Sequence, residues 1–252
     1  MKLHILSDVH LEFGKWPRNV DVNAIDADVT ILAGDIGVGL EGIQWALTIN
    51  RPVIYVFGNH EFYGLRPMND LWRTAKSTVA GTHIHLLENE ELVLNGVRFL
   101  GCTLWTDFCI LGADRQKFAM NFASNEMSDY ANISATPHDT LSLHQESREF
   151  LGCRLADAFN GTTVVITHHA PSALSLTDRK VTSETDATCA TNLDALVAKA
   201  NLWVHGHTHI PVDYLCFGPG ICPGPGRVIS NPRGYAELGE MLDFKSGLVV
   251  EV

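Results

Sequence analysis

Five short apolar runs, spread along the chain, each stop on residues able to bind a metal ion or move a proton. Lys2–Leu6 leads into Ser7-Asp8-Val9-His10, residues 29–33 into Gly34-Asp35, and residues 53–57 into Gly58-Asn59-His60-Glu61. Residues 163–167 lead into His168-His169-Ala170-Pro171, and Leu202–His205 into Gly206-His207-Thr208-His209. Short β-branched or apolar runs bounded by glycine and polar residues read as buried strands. Residues 40–50, 68–79 and 192–200 carry helical spacing between them, so strand and helix alternate and an α/β domain is expected. Open α/β sheets place their ligands at the carboxyl edge of the strands, and that is where all five endings would meet.

Other segments add a second sheet. Asn95-Gly96 separates residues 91–94 from 97–101 and predicts a tight hairpin. His83 and His85, alternating along a strand, read as a solvated strand face. Toward the C-terminus, residues 212–217, 227–230, 241–244 and 248–252 read as strands around a Gly/Pro-rich loop at 218–226. Strand-helix repeats combined with hairpins predict two sheets packed face to face with helices outside. From about 103 to 150 this rhythm breaks, and a long helix is expected over 138–159. That stretch reads as a helical insertion over the site, with Trp105, Phe108, Phe118, Phe122 and Tyr130 forming a small hydrophobic core. With 252 residues and 46% apolar composition, a single domain over 1–252 is expected.

Charge and cysteine usage narrow the function classes. A net charge of -11 repels phosphate chains over most of the surface and argues against a general nucleic-acid coat protein. Six cysteines occur with no C-x-x-C pair, which reads as reduced thiols in a cytoplasmic protein. The N-terminal residues lack the unbroken apolar stretch of a secretory signal, and no segment is long and apolar enough to span a membrane.

Asp and Asn oxygens mixed with imidazole nitrogens suit borderline divalent ions such as Mn, Fe or Zn. One carboxylate can bridge two such ions, and Asp35 is the candidate bridge. The ordered series Asp8-x-His10, Gly34-Asp35, Gly58-Asn59-His60-Glu61, Val165-x-x-His168 and Gly206-His207-x-His209 resembles the motif set of the calcineurin-like metallophosphoesterases. That resemblance implies a four-layer αββα sandwich of two mixed sheets flanked by helices. It implies two divalent metal ions, one held by Asp8, His10, Asp35 and His209 and the other by Asp35, Asn59, His168 and His207. It also implies that His60 is no ligand but faces the leaving oxygen, so that Asp35 and His60 are the catalytic candidates. The implied activity is hydrolysis of a phosphodiester or phosphomonoester of a small anionic substrate, with water activated by the two metals.

Many members carry Asp or Tyr three residues after the bridging Asp, where this chain has Val38. Without a Tyr the tyrosinate-iron type is not expected, and without an Asp the carboxylate that usually orients His60 is missing. Asn59 is expected beside the substrate as well as on the metal. Within Asn231-Pro232-Arg233-Gly234-Tyr235, Arg233 either caps a loop or forks onto a substrate phosphate. His169 and His205 flank ligand positions and either hydrogen-bond to a ligand or pack. Asn59 and His168 lie 109 positions apart (168 minus 59), far more than one strand-helix unit requires, so the insertion in that gap is the natural place for substrate selection. Two other readings of the chain are a nuclease acting on DNA or RNA ends and a metal-binding scaffold without catalysis.

Overall fold

The computed structural model describes residues 1–176, 181–218, 224–240 and 243–252. Strands β1 (Lys2–Leu6), β2 (Val29–Ala33), β3 (Val53–Val56), β4 (Ile84–Leu86) and β11 (Val249–Glu251) form one sheet in the order β11-β1-β2-β3-β4. The other sheet holds β5 (Glu90–Leu94), β6 (Val97–Cys102), β7 (Thr162–Thr167), β8 (Leu202–His205), β9 (Val212–Cys216) and β10 (Gly226–Ser230), in the order β5-β6-β7-β8-β10-β9. Pairing is parallel inside each sheet and antiparallel at β11, β5 and β9, so both sheets are mixed.

The period-two alternation of strand side chains builds the layers. Leu3, Ile5, Val29, Ile31, Ile54 and Val56 pack against Phe99, Val164, Ile166, Leu202 and Val204 between the sheets. The alternate residues Leu6, Leu32, Val53 and Tyr55 face outward onto helices α1 (Glu41–Ala46) and α2 (Met68–Val79). On the other sheet, Leu100, Val165, Trp203 and Val228 meet Leu151 and Leu155 of α5 (Pro137–Ala156) and Val197 of α7 (Asp194–Val197). Strands apolar on both faces are what a helix-sheet-sheet-helix sandwich requires, and the four layers are the expected ones.

Within the stretch 103–150 lie α3 (Gln116–Glu126), α4 (Ser128–Asn132) and most of α5. Phe108 is buried with Ala119, Met120 and Ala123, whereas Trp105 joins the core under α2, and Phe118 is 65% exposed and belongs to neither. A capping box of Thr136 and Asp139, with Pro137 in the first turn, starts α5. Helices expected over 40–50 and 192–200 are shorter, ending where the chain turns back toward a strand. The strand expected over 241–244 is not found at its described end: 241–242 lie outside the described residues, Asp243 takes a left-handed turn (φ 62°), and Phe244 packs edge-on against Trp16. Of the expected loop over 218–226, residues 219–223 lie outside the described set, and β10 already begins at Gly226. A further helix, α6 (Glu184–Cys189), carries its own capping box from Ser183 and Asp186.

Candidate metal centre

Parallel β1, β2 and β3 end side by side, and the loops that follow them bring Asp8, His10, Asp35 and Asn59 into one place. Loops after β7 and β8 add His168, His207 and His209 from the other sheet. The chain turns so tightly here that Asp8, His10, Asp35, His207 and His209 all adopt positive φ, between 49° and 66°. Left-handed backbone is unfavourable for residues with a Cβ, at about 1–2 kcal/mol each, and persists where surrounding bonds fix it. Those bonds are visible: Asp8 N donates to Gly34 O, His10 N to Asp35 O, and His207 N to Asp8 Oδ1 at 2.8 Å. Glu61, fully buried, accepts from Asp35 N, Ile36 N, Gly58 N and Tyr55 Oη, and so ties the turn after β2 to the turn after β3. Gly34 has φ 86°, and a Cβ there or at Gly58 would run into the His168 ring. Glycine is required at both because a ligand packs on the backbone.

The expected ligand atoms fall into two sets. Asp8, His10 and His209 present atoms within 4.8 Å of one another, and so do Asp35, His168 and His207. A third group within the same distance joins His10 to Glu12 and His60. Asp35 links the sets: its Oδ2 lies 3.8 Å from His10 Nε2 and 3.3 Å from His168 Nε2, while its Oδ1 accepts from His60 N. Asn59 Oδ1 lies 2.9 Å from His168 Nε2 and 3.0 Å from His207 Nδ1, which places it in the second set.

The outer nitrogens of three imidazoles are held by acceptors. His168 Nδ1 faces Ala33 O at 2.9 Å, His10 Nδ1 faces Glu12 Oε1 at 3.0 Å, and His209 Nδ1 faces Glu240 Oε2 at 2.8 Å. A ring N–H donated outward leaves the Nε2 lone pair turned inward. Inward-facing lone pairs then crowd together: His10 Nε2 and His209 Nε2 are 3.1 Å apart, and His168 Nε2 faces the amide oxygen of Asn59. Asp8 Oδ2 and His207 Nε2 are buried without any partner. Acceptor atoms crowded at hydrogen-bond distance call for a cation between them, a proton or a metal ion, and the residues present fit two divalent ions.

Electrostatics point the same way. Burial lowers the His168 pKa, but the Asp35 charge outweighs it and raises it to about 10, so the pocket favours positive charge at that nitrogen. Burial acts to raise the Asp35 pKa, yet His168, His60 and His10 around it hold the carboxyl well below its usual range. His207 is pushed well below the usual imidazole value by burial and by its neighbours His169 and His168, and so stays a neutral donor of electron pairs.

His60 stands beside the metal sets. Its Nδ1 faces Glu12 Oε1 at 2.8 Å, its Nε2 lies 3.3 Å from Tyr235 Oη, and Tyr63 stacks on its ring at 4.1 Å. Glu12 therefore occupies the orienting role for which Val38 has no carboxylate. Sequence reasoning missed Glu12 and Glu240; the only signal for Glu12 was its place two residues beyond His10. Arg233 is not at the cleft. Its guanidinium is buried and donates to Val9 O, Gly14 O and Lys15 O, fixing the loop that carries His10 and Glu12, so the loop-capping reading is the one its contacts support. His169 packs against His207 with centroids 4.2 Å apart, and His205 bonds to Ser175 and Gly206 O.

Residues 1–211 match the family described as calcineurin-like phosphoesterases. The chain belongs to that family. As a member, the phosphoesterase hydrolyses phosphate esters with the help of divalent metal ions. It is similar to the uncharacterized protein L509 of Acanthamoeba polyphaga mimivirus, 26% identical over 286 residues that cover 95% of this chain and 98% of the relative. The phosphoesterase also shares its fold with the phosphopantetheinyl hydrolase (PptH) of Mycobacterium tuberculosis, with a TM-score of 0.68 and 20% identity over 98% of this chain and 94% of that one. No described helix is long and apolar enough to cross a membrane, and the five described cysteines are free.

Proposed function

We propose that the chain cleaves a small phosphate ester at a paired metal centre, with Asp8, His10, Asp35 and His209 holding one ion and Asp35, Asn59, His168 and His207 the other. The observation that carries this reading is the position of Asp35 Oδ2 between His10 Nε2 and His168 Nε2, one nitrogen from each set. The mixed oxygen and imidazole donors suit Mn, Fe or Zn. Bound ions would supply Lewis acidity toward the phosphoryl oxygens and acidify the attacking water.

The remaining work falls to the side chains. A cleft of about 300 Å³ opens over the ligands, lined by Asn59, His60, Tyr63, Asp129, His207 and Tyr235 among others. Burial lowers the His60 pKa, but Asp35 and then Glu12 outweigh it and raise it to about 9, which favours a proton on the ring. Glu12 holds Nδ1, which leaves the Nε2 proton directed at the cleft, where it can be given to a departing alkoxide.

Acidic walls at Asp129 and Glu240, together with the net charge of -11, favour a small ester over a nucleic-acid chain. The test is metal analysis of protein reconstituted with Mn, Fe or Zn, followed by a panel of nucleotides, cyclic nucleotides, phosphodiesters and sugar phosphates. A phosphopantetheinyl ester belongs in the panel because of the name of the similar fold. Two ions per chain and turnover of a small ester are expected; full activity with one ion, or preferred cleavage of oligonucleotides with steep salt dependence, would sink the reading.

A further inference from the structure

The insertion reaches into the metal centre through one buried carboxylate, and we infer that Asp129 of α4 is a positioning residue that fixes which end of the Asn59 amide faces the second metal position. This inference rests on the paired-metal reading above. Asp129 is 7% exposed, and its Oδ1 accepts two hydrogen bonds, from Asn59 Nδ2 at 2.7 Å and from Tyr63 Oη at 2.6 Å. Burial pushes the Asp129 carboxyl up, but its Oδ1 already takes two donors and can only accept, whereas a carboxamide has one donating and one accepting end that differ little in shape. A carboxylate beside Asn59 therefore admits only the NH₂ end, and the oxygen must point the other way, at His168 Nε2 and His207 Nδ1. Rotated by half a turn, Asn59 would offer the metal position an N–H, which cannot bind a cation.

The same oxygen of Asp129 holds Tyr63, whose ring stacks on His60 with an interplanar angle of 22°. Gly64 N and Leu65 N both donate to Asn132 O at the end of α4, so the helix is fastened along the segment that carries Asn59, His60 and Tyr63. A segment inserted between the metal motifs thus sets the orientation of a ligand that the motifs themselves supply. Met127, Ser128 and Asp129 line the cleft beside that contact.

Calorimetric titration of metal-free full-length protein with MnCl₂ tests this without reference to turnover. Wild type is expected to take up two ions. Asp129→Ala should weaken one of the two by about 10- to 100-fold, the usual scale for an outer partner of a ligand, and leave the other unchanged. Asp129→Asn should fall between, because its amide offers Asn59 a donor as readily as an acceptor. Tyr63→Phe keeps the Asn59 bond and should bind both ions as wild type does while turning over substrate more slowly. Wild-type affinities at both sites in folded Asp129→Ala and Asp129→Asn would overturn the inference. So would an equal loss in Tyr63→Phe, because the effect would then travel through packing. If Asp129→Ala does not fold, the Asp129→Asn and Tyr63→Phe pair decides alone. Failure of the wild type to bind a pair of ions would instead strike the metal-centre reading itself.

Discussion

Glu12 Oε1 faces Nδ1 of both His10 and His60, so one charge orients the proposed metal ligand and the proposed acid. Burial works against ionisation of this carboxyl, but the two imidazoles hold it at about 2. Glu12→Gln keeps the shape and removes the charge; kcat should fall about 10- to 100-fold and Mn affinity should drop with it, as measured by initial rates and by calorimetry. Unchanged values for both would remove Glu12 from the mechanism. His60→Ala separates the roles, since His60 belongs to neither ligand set joined at Asp35. Metal content should remain that of the wild type while kcat falls about 10²- to 10⁴-fold, the range for a positioned acid. Asp35, by contrast, touches both sets, and Asp35→Asn should lose ion pairing and hydrolysis together.

Among the elements, α5 and β1 make separate predictions. The capping box at Thr136 satisfies backbone donors that would otherwise be left open at the start of a 20-residue helix. Thr136→Ala should cost about 1 kcal/mol, seen as a fall in Tm of roughly 2–4 °C for a chain of this size. On β1, His4 is fully buried with Nε2 against Ser246 O, and burial lowers its pKa to about 4. An unfolded histidine titrates near 6.5, so below that pH the unfolded chain takes up a proton that the folded one refuses. The resulting stability is complete above pH 6.5 and is lost as pH falls, by roughly 3 kcal/mol at pH 4 from a difference of 2.5 units. Urea midpoints measured across this range should slope downward in wild type and flatten in His4→Gln.

On the scale of the whole molecule, the centre gathers Asp8, Glu12, Asp35, Asp129 and Glu240 in an acidic protein, and among the described residues no Lys or Arg lines the cleft. Divalent ions at the proposed ligands would relieve that repulsion and favour the folded arrangement, because those residues come from five separate loops. At a free ion concentration 100 times the Kd, a site contributes about 2.7 kcal/mol of stability. Manganese should therefore raise the unfolding temperature in differential scanning calorimetry, and chelation should reverse it; no shift would mean that the ligand atoms do not act as one site.

How much was legible in the sequence follows from where each constraint lies. The five strands that carry the motifs, the alternation that buries both of their faces, and the ligand types at their ends are local properties, and 3.6- and 2-residue periods with glycine stops express them directly. The Thr136 cap could be read in the same local way, whereas the supposed strand over 241–244 had only its apolar residues to recommend it. What no local pattern contains is which distant groups become neighbours. Glu12 taking the orienting place left vacant by Val38, Arg233 spent on the loop that holds His10, and Asp129 turning Asn59 are contacts across 48, 224 and 70 positions. Strand endings determine which chemistry is present because spacing along the backbone is enough to set it. Only the packing of two sheets and an insertion decided how each ligand is aimed, since a hydrogen bond between remote loops leaves no periodic trace in the chain.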